Sequence, residues 1–132
     1  MVISHTKPYN LTFEARPEYL YARVSGERDS YEISRQYWQE IKDECKRIGT
    51  SRVLIEENIS DNVTAIDAFR MTTEFLQTNF SVIKIAFVDL CPEQGELNKF
   101  GELVAINRGV NIKLCKDTTD AETWLLKGEA AS

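Results

Sequence analysis

Side chains able to do chemistry are few in this sequence, and their spacing limits what they can do. Glu56 and Glu57 follow one apolar run, Val53-Leu54-Ile55, and Asp89 follows another, Ile85-Ala86-Phe87-Val88. Acidic groups at adjacent strand ends suit magnesium, a hard cation that takes oxygen ligands. Resemblance to the magnesium site of a receiver domain would also need an acidic pair after the first strand and a lysine after the fifth. Here the early hairpin, Tyr9 to Val24, ends Ser25-Gly26-Glu27, and Lys113 lies inside its strand. The three carboxylates are therefore expected to be solvated strand ends, with no metal. Between the two runs lies a polar segment, Asn58-Ile59-Ser60-Asp61-Asn62-Val63-Thr64, leading into a helical pattern that carries Asp67 and Arg70. A helix N-terminus presents free N–H groups and a positive dipole, which favour a phosphate on Ser60 or Thr64 or a docked anion. The same residue types are also ordinary turn and capping residues.

Other catalytic chemistries lack their parts. His5 is the one histidine, and it lies near the N-terminus, so zinc sites and Ser-His-Asp or Cys-His catalysis have no basis within a single chain. Cys45, Cys91 and Cys115 show no CxxC spacing and no neighbouring base, and read as three free thiols. There is no phosphate-binding loop and no GxGxxG, since Gly95 and Gly101 stand alone. No cofactor and no enzymatic activity are expected.

Composition sets the class. The chain has 132 residues, 42% hydrophobic and 28% charged, which suits one globular domain with its own core. A net charge of -5 argues against general attraction to nucleic acid or anionic lipid. The local cations Lys42, Lys46, Arg47 and Arg52 read as a helix end favoured by its dipole. No run approaches the roughly 20 apolar residues of a membrane span. Met1–Pro8 has no charged segment followed by an apolar one, so no signal peptide is expected and the cytoplasm is the expected compartment.

The elements that must position these residues follow from periodicity. Tyr9 to Ala15 reads as a strand, broken at Pro17. Leu20, Ala22 and Val24 then alternate with Tyr19, Tyr21 and Arg23 in a second strand, closed by Ser25-Gly26. So short a connection makes the pair antiparallel. Asp29 or Ser30 caps a helix whose apolar stripe is Ile33, Tyr37, Trp38, Ile41, Cys45 and Ile48, ended by Gly49. Arg52–Glu57 is a buried strand, followed by a loop over 58–64. Thr64 opens a helix with Ile66, Phe69, Thr73, Leu76 and Phe80 on one side. Ile83–Leu90 reads as a central strand covered on both faces. A third helix carries Leu97, Phe100, Val104 and Ile106 and stops at Gly109. Val110, Ile112 and Leu114 form the fifth strand, and Thr118 or Thr119 opens a last helix with Ala121, Trp124 and Leu125. The order β-β-α-β-α-β-α-β-α predicts an α/β fold with a mixed five-stranded sheet and four helices. The domain is expected over 9–127, between a flexible N-terminus (1–8) and a flexible tail (128–132).

This order, with the ending Asn107-Arg108-Gly109, strand, Asp120-Ala121-Glu122-Thr123-Trp124-Leu125, resembles the STAS-like group over roughly residues 9 to 126. That group is similar to bacterial anti-sigma-factor antagonists and shares its general layout with lipid-binding Sec14 domains. In the antagonists a serine or threonine after the third strand is phosphorylated by a partner kinase that is also the anti-sigma factor. The matching segment here, Glu57 to Ala68, lacks an Asp-Ser-Ser-Gly run, and Ala68 stands about where the phosphorylatable residue is expected. The resemblance implies a non-enzymatic regulatory module, bacterial and cytoplasmic, that presents the 58–64 loop and the following helix to a protein partner. Asn58, Ser60, Asp61, Asn62, Thr64, Asp67 and Arg70 are the expected contact or phosphorylation residues. The alternative is a binding protein for a small apolar or anionic molecule held between sheet and helices, in a pocket lined by Phe69, Phe87 and Phe100. An N-terminal edge strand with unpaired backbone groups offers a route to a homodimer. The early tyrosines Tyr19 and Tyr21 would be exposed for a partner only if no helix covers their face.

Overall fold

The structure is a computed structural model and describes residues 7–127. The expected C-terminal tail (128–132) lies outside the described residues, as does the expected flexible N-terminus (1–8) apart from Lys7 and Pro8. Strand β1 (Tyr9–Arg16) turns through Pro17-Glu18 into β2 (Tyr19–Arg28), antiparallel, with Phe13 opposite Ala22. Helix α1 (Tyr31–Ile48) follows, capped by the Ser30 hydroxyl, which accepts from the Ile33 N–H at 3.1 Å. Gly49 ends it at φ 75°, left-handed backbone that suits a residue without Cβ. Strand β3 (Arg52–Asp61) leads to a continuous helical body made of α2 (Ala65–Met71), a π-helical turn (Thr72–Leu76) and α3 (Gln77–Asn79). Strand β4 (Lys84–Asp89), a 3-10 turn (Pro92–Gln94), α4 (Gly95–Asn107), β5 (Asn111–Leu114) and α5 (Thr118–Leu125) complete the domain.

The sheet runs β1-β2-β3-β4-β5, parallel from β2 onward. Strands added in one direction by right-handed crossovers put α1, α2–α3 and α4 on the same face. That face holds the larger core: Leu20, Val53 and Ile85 lie in register under Tyr37, Ile41, Phe75 and Phe80. Among the described residues helix α5 alone covers the other face, where Leu54, Ala86 and Val88 meet Ala121 and Leu125. Tyr19 lies beneath it, buried, with its hydroxyl donating to Glu122 at 2.6 Å. Tyr21 donates to Glu56 and carries the Arg16 guanidinium 4.3 Å from its ring. These tyrosines are packing residues rather than an open patch.

Several elements differ from expectation in bounds or phase. Gly26 does not close β2, which continues to Arg28; Gly26 faces Tyr9 in the ladder, where a Cβ would come within 3.1 Å of the Pro8 carbonyl oxygen. That extension gives β3 a partner beyond Glu57, with Gly26 opposite Ile59 and Arg28 opposite Asp61. Residues 58–61 are therefore strand, and the loop shrinks to Asn62–Thr64, because ladder pairing and burial of Ile59 outweigh the polar composition. In the second helical body the π turn shifts the buried side to Met71, Thr72, Phe75 and Leu76, leaving Ile66 outside. At α5 the cap is Asp117, one residue before the expected threonines.

Candidate functional site

The extra length of β2 and β3 builds the site. In β3 the residues Val53, Ile55, Glu57 and Ile59 alternate onto the helix-covered face, so Glu57 sits between buried isoleucines and is only 3% exposed. Its row in the sheet is Val24, Glu57, Asp89. Glu56 lies on the opposite face, accepting from Tyr21 and from Arg23 at 3.3 Å. The expected acidic rim is thus split between two faces. Among the described residues no group of three histidine, cysteine or acidic side chains is placed to hold a metal ion.

A second carboxylate comes from the β2–α1 junction. The Asp29 N–H donates to the Asp61 carbonyl at 2.7 Å, closing the strand pair and turning the Asp29 side chain inward. Its Oδ1 accepts from the Ser30 N–H and the Ser34 hydroxyl, each at 2.8 Å, and its Oδ2 accepts from the Tyr37 hydroxyl at 2.6 Å. The Tyr37 oxygen also stands 3.2 Å from Glu57 Oε2. From the other side Asn62 Nδ2 donates to Glu57 Oε1 at 3.2 Å and to Gln94 Oε1 at 2.6 Å, while Gln94 Nε2 donates to the Ile59 carbonyl at 2.7 Å. Asp29, Tyr37, Glu57, Asn62 and Gln94 thereby tie α1, the end of β3 and the start of α4 into one buried network.

Proton supply separates the two acids. Asp29 has three donors, which suits an anion. Tyr37 has one hydroxyl proton, and the 2.6 Å contact to Asp29 claims it. The longer contact to Glu57 closes as a hydrogen bond only when Glu57 itself carries a proton. Electrostatics agree. Burial first, then the nearby charges of Asp89 and Asp29, push the Glu57 carboxyl up to about 8. Burial also raises Asp29, against the lowering effect of its three hydrogen bonds, and holds the Tyr37 phenol well above its ordinary range.

Beside this network lies a cavity of about 110 Å³ between the carboxyl ends of β4 and β5 and the helices α1, α2 and α4. Ligands in open α/β sheets are commonly placed at this end of the strands. Phe87, Leu97, Ala105 and Leu114 give it apolar walls, and Asp29, Tyr37, Glu57 and Asn62 supply its polar side. Among the described residues no lysine, arginine or histidine lines it.

Of the residues expected from sequence, Asn62 and Phe87 line this cavity. Phe69 and Phe100 do not; they face outward on α2 and α4. Asn58, Ser60 and Asp61 are exposed on β3, and Ser60 Oγ reaches the Glu27 carbonyl at 3.4 Å. Thr64 is the exposed cap of α2, accepting from the Asp67 N–H at 3.2 Å. Asp67 and Arg70 pair at 3.5 Å, and Arg70 lies 3.9 Å from the Tyr31 ring. From sequence Glu57 is expected only as a solvated strand end, Asp29 as a helix cap and Tyr37 as part of an apolar stripe, although the alternation through Ile55, Glu57 and Ile59 carries the signal that Glu57 is buried. The cysteines are buried, and burial pushes Cys45 up to about 12 and Cys115 up to about 11, far from thiolate formation near neutrality.

No protein-family model matches the sequence, and no curated protein matches it. Among solved structures, the chain is similar to an uncharacterised protein of the DUF3478 family from Shewanella loihica PV-4, described as having a SpoIIAA-like fold. The TM-score is 0.54 and the identity 19%, over 95% of this chain and 99% of that one. At that identity the likeness is one of fold. The chain accordingly has a STAS-like, SpoIIAA-like α/β fold, as its element order implied.

Proposed function

We propose that this chain is a non-enzymatic regulatory module that engages a protein partner through α2 and the neighbouring face of α4. The observation that supports this reading is a set of exposed apolar side chains on two helices packed side by side. Ile66 is 73% exposed and Leu103 59% exposed, with Phe69, Phe100 and Ile106 also open to solvent. Apolar patches rimmed by polar groups are characteristic of interaction sites, and Asp67, Arg70 and Arg108 form such a rim. The strand end at Asn58, Ser60 and Asp61 and the turn to Thr64 adjoin α2 in sequence. Phosphorylation of Ser60 or Thr64 is the proposed gate, since a dianion beside Asp61 and Asp67 repels an acidic partner and would compete with the Thr64 cap.

Site-specific photocrosslinking in the native host tests it. A photoreactive residue at Ile66 or Leu103 is expected to trap one and the same protein, while one at Thr12, on the opposite sheet face, traps none. The paired change Ile66→Arg and Leu103→Arg is expected to abolish the adduct. Equal trapping from all three positions, or none from either helix, would sink the reading.

A further inference from the structure

The cavity between the sheet and α1, α2 and α4 calls for an occupant different from any protein partner. Its volume of about 110 Å³ far exceeds the 10–15 Å³ that one water needs. It is lined by Asp29, Glu57 and Glu102, yet by no cation among the described residues. Asp29 is saturated by three donors, and Glu102 accepts the Leu114 N–H at 2.6 Å. Glu57 is different. Once ionised it keeps only the 3.2 Å contact from Asn62, because the single Tyr37 proton is held by Asp29. A nearly inaccessible carboxylate with no cation among the described lining residues, on the wall of a cavity that also has an apolar side formed by Phe87, Leu97, Ala105 and Leu114, is a cation site with a hydrocarbon slot attached.

We propose that this cavity binds a small aliphatic amine, its ammonium group against Glu57 and its alkyl chain along Phe87, Leu97 and Ala105. The site lies on the inner side of α2 and α4, so it stands whether or not their outer face binds a partner. A carboxylate or phosphate ligand is disfavoured by the same acids that favour an ammonium. The ligand enters at a proton's expense: Glu57 releases its proton to solvent as the ammonium replaces it. The charged and titratable groups acting on Glu57 are Asp29 and Tyr37 from the α1 side and Asp89 at the end of β4, and Glu102 on α4 lines the same cavity; Ala68 of α2 and Thr72 of the π turn do not titrate near neutrality.

The test is calorimetric titration of the full chain with n-butylammonium, with n-butanol and butyrate as controls of the same shape. Butylammonium is expected to bind about 50-fold more tightly at pH 8 than at pH 6, since affinity changes tenfold per pH unit below the pKa of a group that must ionise. Below pH 8 the enthalpy should also vary with the ionisation enthalpy of the buffer, marking release of about one proton. Glu57→Gln should remove both the proton release and the pH dependence while the protein stays folded. Gly101→Leu is the second variant. Gly101 lines the cavity and a Cβ there meets nothing within 4 Å, so the leucine is expected to fill the slot and block binding without touching an acid. Binding of butanol with equal strength, preference for butyrate, binding unchanged in Glu57→Gln, or no saturable binding of butylammonium would each overturn the proposal.

Discussion

Asp29 and Glu57 share one hydroxyl between them, and that hydroxyl can serve only one as an anion. Asp29 gets it, together with two further donors, and Glu57 is left to keep its own proton. The consequence is a stability term with a definite sign. Burial pushes the Glu57 carboxyl up to about 8 in the folded chain, from its ordinary value of 4.5. Between those values the folded state holds a proton that the unfolded state has lost, so stability falls as pH rises through that window. Glutamine mimics the protonated acid and has nothing to titrate. Glu57→Gln is therefore expected to match the wild type near pH 4.5 and to exceed it by roughly 3 kcal/mol at pH 7, from about 1.4 kcal/mol per pH unit. Urea unfolding of both proteins across that range reads the difference directly; parallel curves would mean that Glu57 is ionised throughout. None of this follows from residue type alone. Asp29 has the composition of a cap, but Ser30 takes that role, and Glu57 looks like a strand end until the next four residues prove to be strand.

At the scale of elements, the second helical body shows how a pattern can be right in kind and wrong in phase. Ile66, Phe69, Thr73, Leu76 and Phe80 recur at three- and four-residue steps, which implies one buried stripe. The π turn at Thr72–Leu76 rotates the chain after α2, so the first two members end up in solvent while Leu76 and Phe80 remain in the core. Met71 and Phe75, off the expected stripe, are buried instead. A π turn adds a residue to the helical circuit, and single-sequence periodicity at a fixed step cannot register it. The same turn sets Thr72 and Leu76 against the cavity, so the irregularity shapes the site. The phase shift makes a sharp mutational contrast. Phe75→Ala, which empties a site in contact with Phe80 and the Arg35 guanidinium, is expected to cost about 3–5 kcal/mol. Ile66→Ser is expected to stay within about 0.5 kcal/mol of the wild type, as exposed positions usually do. Denaturant titrations of the two variants settle the matter: comparable losses would put Ile66 in the core and restore the unshifted stripe.

Across the whole molecule, topology was more legible than chemistry. The alternation of helix and strand after an antiparallel pair dictates a sheet built outward in one direction, and the register of Leu20, Val53, Ile85 and Ile112 across four strands follows it. What could not be foreseen is how unequally the two faces are covered. Among the described residues three helical bodies seal one side, and α5 alone seals the other, over a small cluster around Leu54, Ala86 and Val88. Lys84 joins α5 to the sheet: its ammonium donates to the Trp124 carbonyl at 3.0 Å and the Lys127 carbonyl at 3.4 Å, and lies 4.6 Å from the Trp124 ring. A cation at a helix C-terminus satisfies carbonyls that have no partner within the helix and complements the dipole there. The smaller core should then open as a unit of its own when that tie is cut. Lys84→Met keeps the chain's bulk and removes the charge and its donors, so hydrogen exchange is expected to quicken across Thr118–Leu125 while the α1 amides keep their protection. If exchange instead rises equally in α1 and α5, the two cores unfold together, and the thin face of the sheet is as firmly bound to the fold as the thick one.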